Sequence, residues 1–327
     1  MSRLRRCAIA ALAAALASAP AAAKEKWTAV TIQPSAQAVN IALFKEMFAE
    51  IEKKTNGLVS IDLKLSSQLP ISASTYTQAA GDGVVQIADD GYAVGNVPIM
   101  GIMKLPMLIQ SPQDAQKVAE IAMPYLRKGF EQRGVVVLGN YFMPSQVPFA
   151  KGTFTKLSDL AGKKVETDSP QQEFFVKAFG GTGIVVSPQD VPTAIQRGTL
   201  DLVITASAGG GKIWGDMLTH TYRLSVSEFP LMLIANKDAF EALPKEAQTT
   251  IREIVASRMP DFTKAYAEDE GKVTKALEAK GMKIIEPSAE DLAAATEKMK
   301  PYWEQWAKAN GPDAEAMLKE IRAALGR

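Results

Sequence analysis

The stretch from Leu157 to Ala206 constrains the fold more than any other part of the chain. It reads as strand, helix, strand, helix, strand, with glycine closing each helix. Ser169-Pro170 and Ser187-Pro188 start the two helices, with serine as N-cap and proline in the first turn, where its missing N–H costs nothing. Gly180-Gly181 and Gly198 end them. Leu200 to Thr205 is apolar apart from Asp201, the composition of a strand covered on both faces. Consecutive strands joined through a helix run parallel. The expected class is therefore α/β with parallel-type sheets.

The same grammar continues on both sides. Trp27 to Ile32 is a β-rich run, broken by Gln33, Pro34 and Ser35. Ile41, Phe44, Met47, Phe48 and Ile51 recur at helical spacing, with Lys45, Glu46, Glu50 and Glu52 opposite. Asn56-Gly57 closes that helix, and Leu58 to Leu65 alternates as a strand. Ser72 to Ala80 reads as a short helix and Gly83 to Ala88 as a strand, with Asp89, Asp90 and Tyr92 at its end. Ser111-Pro112 starts a helix that should reach about Gln132 and stop at Gly134; Val135 to Phe142 then reads as a strand. Ala208 to Lys212 is a Gly-rich loop leading to Trp214, and Phe229 to Ala235 is a further strand. After Leu243-Pro244 the chain turns helical, from Lys245 to about Lys280, broken only at Pro260. Two more helices, 288–310 and 313–325, flank Gly311-Pro312. Two α/β halves without a low-complexity linker predict two lobes joined by short crossings.

Residues 1–23 read as a secretory signal peptide. Arg3, Arg5 and Arg6 precede an apolar run, Ala8 to Ala19, that is too short to span a bilayer. Ala21-Ala22-Ala23 offers the small residues of a cleavage site, making Lys24 the first residue of the processed chain. The one cysteine, Cys7, leaves with this segment, and it precedes the apolar run, which excludes a lipoprotein. The processed chain then has no disulfide or thiol chemistry and is held by its core, which about 300 residues suffice to build. Taking the three arginines from the 37 basic residues leaves 34 against 36 acidic ones. A near-neutral chain has no field to hold nucleic acid.

Several chemistries are disfavoured by composition. With a single histidine, His220, and no remaining cysteine, a His- or Cys-rich metal site is not available. A Ser-His-Asp triad would have to use His220, whose surroundings, Leu218 to Tyr222, read as a loop entering a strand. Asp89-Asp90 lacks the alternating ligands of a calcium loop and reads as a solvated strand end. Gly209-Gly210-Gly211 fails as a phosphate loop, because Ala206 stands where a glycine is needed and Ile213 follows Lys212 in place of Ser or Thr.

The Leu157–Ala206 stretch, with its block SPQDVPTAIQRGTLDLVI, resembles the substrate-binding proteins of TRAP transporters, periplasmic receptors that hand small solutes to a membrane permease. The likeness extends over nearly the whole processed chain. It includes Thr55-Asn56-Gly57, the segment IDLKLSSQLPIS, the strand near Ile87 followed by Val97-Pro98 and Lys104-Leu105-Pro106, and ANKDAFEALPKEAQTTI. The resemblance implies a two-lobe, periplasmic-binding-protein-like α/β fold. A ligand cleft would lie between the lobes and a long helix would bridge both, a role that Lys245 to Lys280 fits. The lobe boundaries expected on this basis are 24–143 with 231–262 for lobe I, and 144–230 with 263–327 for lobe II and the cross-lobe helix. The implied function is that of the solute-binding subunit of a sodium-coupled transporter. Its partners would be one small-molecule solute and the TRAP membrane permease subunits. The resemblance implies a periplasmic monomer that uses no cofactor or metal and catalyses nothing. Two other readings stay open: an exported enzyme working with carboxylates, and a receptor that presents its ligand to a sensor protein.

The family usually places an arginine just after a Gly-Lys-Lys-aliphatic run, where it grips a ligand carboxylate. Here that position is Glu166. A second arginine would fall near Ser145, the usual Asp-Gly is Asp201-Leu202, and a stretch that usually carries an acid and an asparagine reads Ala206-Ser207-Ala208. A bidentate arginine is the strongest carboxylate grip a protein has. The departures therefore predict weak binding of simple carboxylates and a preference for a neutral polar, aromatic or cationic solute. The candidate ligand-binding residues are Glu166 and Asp168 at a strand end, Ser145 and Ser207 at the altered positions, and Trp214, Tyr92, Tyr76, Tyr141 and Gln33 near strand ends or loops. Against these stand plainer assignments: a solvated turn paired with Lys163 or Lys164 for the acids, and core packing for the rings. Lys163, Lys212 and Arg223 are the basic residues available to replace the missing arginine.

Overall fold

The computed structural model describes residues 24–186 and 190–327. The signal segment with Cys7 and the Ser187-Pro188 helix start lie outside the described residues. Lobe I opens with β1 (Glu25–Thr31), α1 (Val39–Lys54), β2 (Val59–Lys64), α2 (Tyr76–Gly81) and β3 (Ile87–Asp90). A 3-10 segment, Pro98–Lys104, leads to α3 (Pro112–Glu131) and β4 (Val135–Ala150). Lobe II follows with β5 (Lys164–Glu166), α4 (Pro170–Ala178), β6 (Thr182–Ile184), α5 (Val191–Gln196) and β7 (Leu202–Thr205). Then come α6 (Lys212–Trp214), β8 (His220–Tyr222), β9 (Ser227–Asn236) and α7 (Lys237–Glu241). The chain ends with α8 (Lys245–Ala279), β10 (Lys283–Ile285), α9 (Ala289–Asn310) and α10 (Pro312–Leu325). The N-cap serines act as expected: Ser111 Oγ accepts from the Asp114 amide and Ser169 Oγ from that of Gln172. Gly180 and Gly198 close their helices at φ of 80° and 71°, a conformation that costs other residues a steric clash.

The strand order is β2-β1-β3-β9-β4-β7-β5-β6, with β8 joined to β4 and β10 to β8. Pairs inside each lobe are parallel: β1 with β2 and β3, β5 with β6 and β7, β8 with β10. The sheet as a whole is mixed, which the parallel expectation missed. β4 and β9 run antiparallel to their neighbours because they carry the chain back and forth between the lobes. β4 was expected to stop at Phe142 and instead continues to Ala150. It pairs with β9 as far as Gln146 and with β7 from Val147. A register shift between Met143 and Gln146 marks the crossing, and an irregularity of this kind bends and twists a strand. The sheet thereby curls into two lobes.

α8 spans both lobes. Its 35 residues extend about 50 Å. Midway along it packs on α1, with the rings of Phe44 and Phe262 edge to face at 4.7 Å. It lies so close to β4 that a Cβ on Gly139 would stand 2.8 Å from atoms of Val255 and Met259. Farther on, Leu277 packs into lobe II against Gly215. Pro260 does not break the helix, contrary to expectation. Its exposed position costs about 3 kcal/mol of helix stability, and burial of Met259 and Phe262 beside it returns about 1.5–3 kcal/mol each.

The C-terminal helices are not confined to lobe II, where the expected boundary put them. α10 lies along α3 of lobe I, with Lys128 bonded to Asp313 at 2.6 Å and Tyr125 to Glu320 at 2.8 Å. α9 reaches both sides. Trp303 Nε1 donates to the Pro106 carbonyl, and Tyr302 stacks on Phe174 at 3.9 Å.

Candidate ligand-binding cleft

β5 sits between β6 and β7 and ends at Glu166, so the carboxyl emerges at the C-terminal edge of the sheet, where open α/β sheets receive ligands. Glu166 is 8% exposed. Burial, and after it the neighbouring Asp168, pushes its carboxyl up to about 8. Among the described residues it has neither a hydrogen-bond donor nor an ion-pair partner. Asp168 Oδ2 lies 3.7 Å from Lys104 Nζ, while its Oδ1 is buried without a donor. Thr167 Oγ1 and Gln171 Oε1 are likewise buried and unpartnered, so three of the five such atoms among the described residues fall within the run 167–171. Native interiors satisfy nearly all buried polar groups. A cluster of unanswered oxygens at a strand end is a place where an external donor is wanted.

Lobe I supplies the opposite wall. Lys104 ends the 3-10 segment after an otherwise apolar run, Pro98 to Met103, and is 2% exposed. Its ammonium stands 4.2 Å from the centroid of the Phe229 ring and 5.7 Å from that of Tyr92, within the range of cation–π attraction. The two rings meet edge to face at 5.5 Å. Gly91 makes this possible: a Cβ there would stand 2.5 Å from Phe229 Cε1. Burial raises the Tyr92 hydroxyl far above its ordinary range, and the charges of Asp168, Glu166 and Asp90 raise it further. Tyr92 therefore lies within electrostatic reach of the acids at the end of β5.

The structure brings together three of the sequence-predicted site residues, Glu166, Asp168 and Tyr92, and places the others elsewhere. Tyr141 lies in the lobe I core, stacked on Tyr266 at 6.0 Å, its hydroxyl donating to Asp89. Tyr76 is fully buried and donates to the Thr31 carbonyl. Gln33 donates to the Tyr266 hydroxyl at 3.0 Å. Ser145 donates to Glu228 Oε1 at 2.5 Å at the strand crossing. Ser207 anchors the loop after β7: its amide and that of Ala208 donate to Glu270 of α8, and its hydroxyl accepts from Arg223 and Thr274. Trp214 belongs to the lobe II core, and its ring occupies the space a Cβ on Gly210 would fill. That glycine serves the tryptophan, not the approach of a ligand. Asp89 and Asp90 are buried, not solvated as expected, because hydroxyls and a backbone amide within lobe I answer them. Arg223 is bound to Glu270 and Lys212 to Asp269, and Lys163 lines a surface groove with Lys151 and Asp201. Glu166 pairs with neither Lys163 nor Lys164. Among the described residues no helix is long and apolar enough to cross a membrane, and no group of three or more potential metal ligands converges.

Residues 29–309 match the family of bacterial extracellular solute-binding proteins, family 7, also called DctP. The chain belongs to this family. A solute-binding protein of Verminephrobacter eiseniae is 26% identical over 311 residues, covering 90% of this chain and 87% of that protein. The fold matches an extracytoplasmic solute receptor of Bordetella pertussis that binds pyroglutamic acid, with a TM-score of 0.83 at 23% identity over 91% of this chain and 100% of that one. It also matches a TRAP periplasmic solute-binding protein of Desulfovibrio salexigens with bound orotic acid, with a TM-score of 0.83 at 18% identity, covering 92% and 100%. A third, from Xanthobacter autotrophicus with bound β-D-galacturonate, gives 0.80 at 20% identity, covering 91% and 99%. At these identities the structural likeness establishes the two-lobe fold.

Within this DctP-family fold, the residues gathered beside Asp168 and Tyr92 that sequence reasoning overlooked are Lys104, Phe229 and Gly91. Lys104 carried a readable signal, a lone charge in an apolar run, and such a charge is buried only when something answers it. Phe229 and Gly91 carried none, since their contact joins residues far apart in sequence.

Proposed function

We propose that this DctP-family protein is exported, loses residues 1–23 and works in the periplasm as the monomeric receptor of a sodium-coupled TRAP transporter. It captures one small solute between the lobes and delivers it to the membrane permease. It catalyses nothing; its work is closure around the solute. A solute that touches Glu166 and Asp168 from one side and Tyr92 and Lys104 from the other stabilises the closed form by its difference in affinity for the two states. One observation supports this best: three buried oxygens of the run 167–171 lack partners, and within that run Asp168 contacts the buried Lys104, which lies over the rings of Phe229 and Tyr92. Glu166 and Ser145, standing where the family usually has arginines, argue against a plain carboxylate as the preferred solute. Small-angle scattering tests the receptor role. A stabilising solute should reduce the radius of gyration, and an unchanged profile at saturation would sink the closing cleft. Uptake into vesicles bearing the permease should require both this protein and a sodium gradient. Mass spectrometry of periplasmic material should find a chain beginning at Lys24.

A further inference from the structure

Resting on the receptor reading above, the unanswered atoms of the cleft narrow the solute class. We propose that the solute is an organic monocation, an ammonium or amidinium whose charged end sits between the Glu166 carboxyl and Oδ1 of Asp168, with the remainder against Tyr92. Three acids, Asp168, Glu166 and Asp90, act on Tyr92. Asp90 is already served by the Thr77 hydroxyl at 2.6 Å and the Tyr92 amide at 2.8 Å. Among the described residues Lys104 is in ionic contact with Asp168 Oδ2 at 3.7 Å and lies over the Phe229 ring, and it makes no ion pair with Glu166. Two carboxyls therefore share one ammonium: Glu166 and Asp168 Oδ1 are left without a donor, and Thr167 Oγ1 and Gln171 Oε1 beside them are also unpartnered.

An anionic solute would set a further carboxylate beside Asp168 and oppose ionisation of Glu166, since like charges at contact distance disfavour one another. It would also compete with Asp168 for Lys104. A neutral donor answers the hydrogen bonds but leaves the charge. Charged N–H groups answer both, through charge-assisted hydrogen bonds of the stronger kind, and the Tyr92 face adds cation–π attraction. In the empty site burial favours the protonated Glu166 carboxyl; a cation at contact distance favours its ionised form, so binding of the cation releases a proton there.

Matched probes of one shape and three charges test this. Benzamidinium, benzamide and benzoate form one set; pyrrolidinium, 2-pyrrolidinone and pyroglutamate form another. In calorimetric titration of the purified protein, affinity should fall from cation to neutral to anion within each set. Glu166→Gln and Asp168→Asn should each weaken benzamidinium by about 30-fold. Glu131→Gln, which removes a carboxylate bonded to Lys237 and remote from the proposed site, should leave benzamidinium within about twofold. Tighter binding of benzoate or pyroglutamate than of their cationic counterparts would overturn the inference while leaving the receptor role standing. Benzamidinium binding that survives in both cleft variants would also overturn it, since an ordered water would then be the donor for these oxygens. A failure of both cations to bind would overturn it as well.

Discussion

Two strands end in buried acids, and the two ends differ in what surrounds them. β3 ends in Asp89-Asp90; β5 ends in Glu166, with Asp168 two residues beyond. Asp89 accepts from the Thr31 hydroxyl at 2.7 Å and from the Tyr141 hydroxyl at 2.9 Å, and Asp90 from the Thr77 hydroxyl and the Tyr92 amide. The β5 acids have no such donors beyond the long contact of Asp168 with Lys104. Both ends stand at the position where α/β sheets bind ligands, so position alone does not separate them. The supply of donors does. A carboxyl with its hydrogen bonds answered from its own lobe is part of the fold, whereas one left bare between lobes waits for something that arrives later.

The widest contrast should appear in stability. Asp89→Ala leaves the Tyr141 and Thr31 hydroxyls buried without an acceptor and opens a small void, at a cost of about 3 kcal/mol. Glu166→Ala removes a carboxyl that nothing bonds and, at about pH 5 where that carboxyl is neutral in the fold, should change stability by less than about 1 kcal/mol. Urea denaturation of the two variants measures both. Equal losses would erase the distinction drawn between the two strand ends.

The pH dependence comes next in size. Glu166 is raised to about 8 from 4.5, Asp89 to about 7 from 3.8 and Glu228 to about 7 from 4.5, burial being the largest cause each time. The folded protein then holds protons that the unfolded chain has released. The stability these groups contribute is complete below the unfolded values and is lost as pH rises through 7 and 8. The melting temperature should fall between about pH 5 and about pH 8.5. Glu166→Gln should flatten the upper part of that decline and be the more stable protein at its alkaline end. A slope unchanged by this substitution would mean that Glu166 is already ionised in the fold.

The comparison also shows what could be read from sequence. Local rules located the helices, because Ser111-Pro112, Ser169-Pro170, Gly180 and Gly198 act within a turn of themselves. They failed at β4, where Pro144 and Ser145 look like a break. The strand continues because β9 and then β7 pair with it, which no local pattern encodes. Glu166 was legible as a departure from the TRAP receptor pattern, and Asp168 as a second acid at the same strand end. Tyr141 and Tyr76 were not separable from cleft aromatics, because the partners that occupy their hydroxyls, Asp89 and Thr31, lie 52 and 45 residues away. Donor accounting needs the fold.

A smaller effect should attend Arg223, one of the three basic residues available in sequence to substitute for the missing arginine. Its guanidinium is divided between Ser207 at 3.1 Å and Glu270 at 2.8 Å, and Glu270 also receives two backbone amides. Arg223→Ala should cost about 2 kcal/mol, because a largely buried carboxylate loses its counter-charge while keeping other donors. Benzamidinium affinity should stay within about twofold, since the arginine serves the loop after β7 and not the cleft. A large loss of benzoate or pyroglutamate binding in this variant would instead assign Arg223 the role of a carboxylate grip.

The smallest effect is expected at Ser145, and its value lies in how it varies with pH. The hydroxyl donates to Glu228 at 2.5 Å and holds that carboxyl down against the upward push of burial; Ser225 offers a second, longer contact of 3.4 Å. Near pH 5 Glu228 is protonated and loses little when the hydroxyl is removed. Above about 7 it is charged and needs the donor more. Ser145→Ala should therefore cost about 1 kcal/mol at the alkaline end and less at the acidic end, shifting the midpoint of the stability decline attributed to Glu228 upward. Here the carboxyl's donors come from the strand crossing itself, as those of Asp89 come from lobe I, so Ser145→Ala should leave benzamidinium affinity unaltered. A loss of cation binding in this variant would move Ser145 from the crossing into the cleft and make Glu228 a third acid of the site.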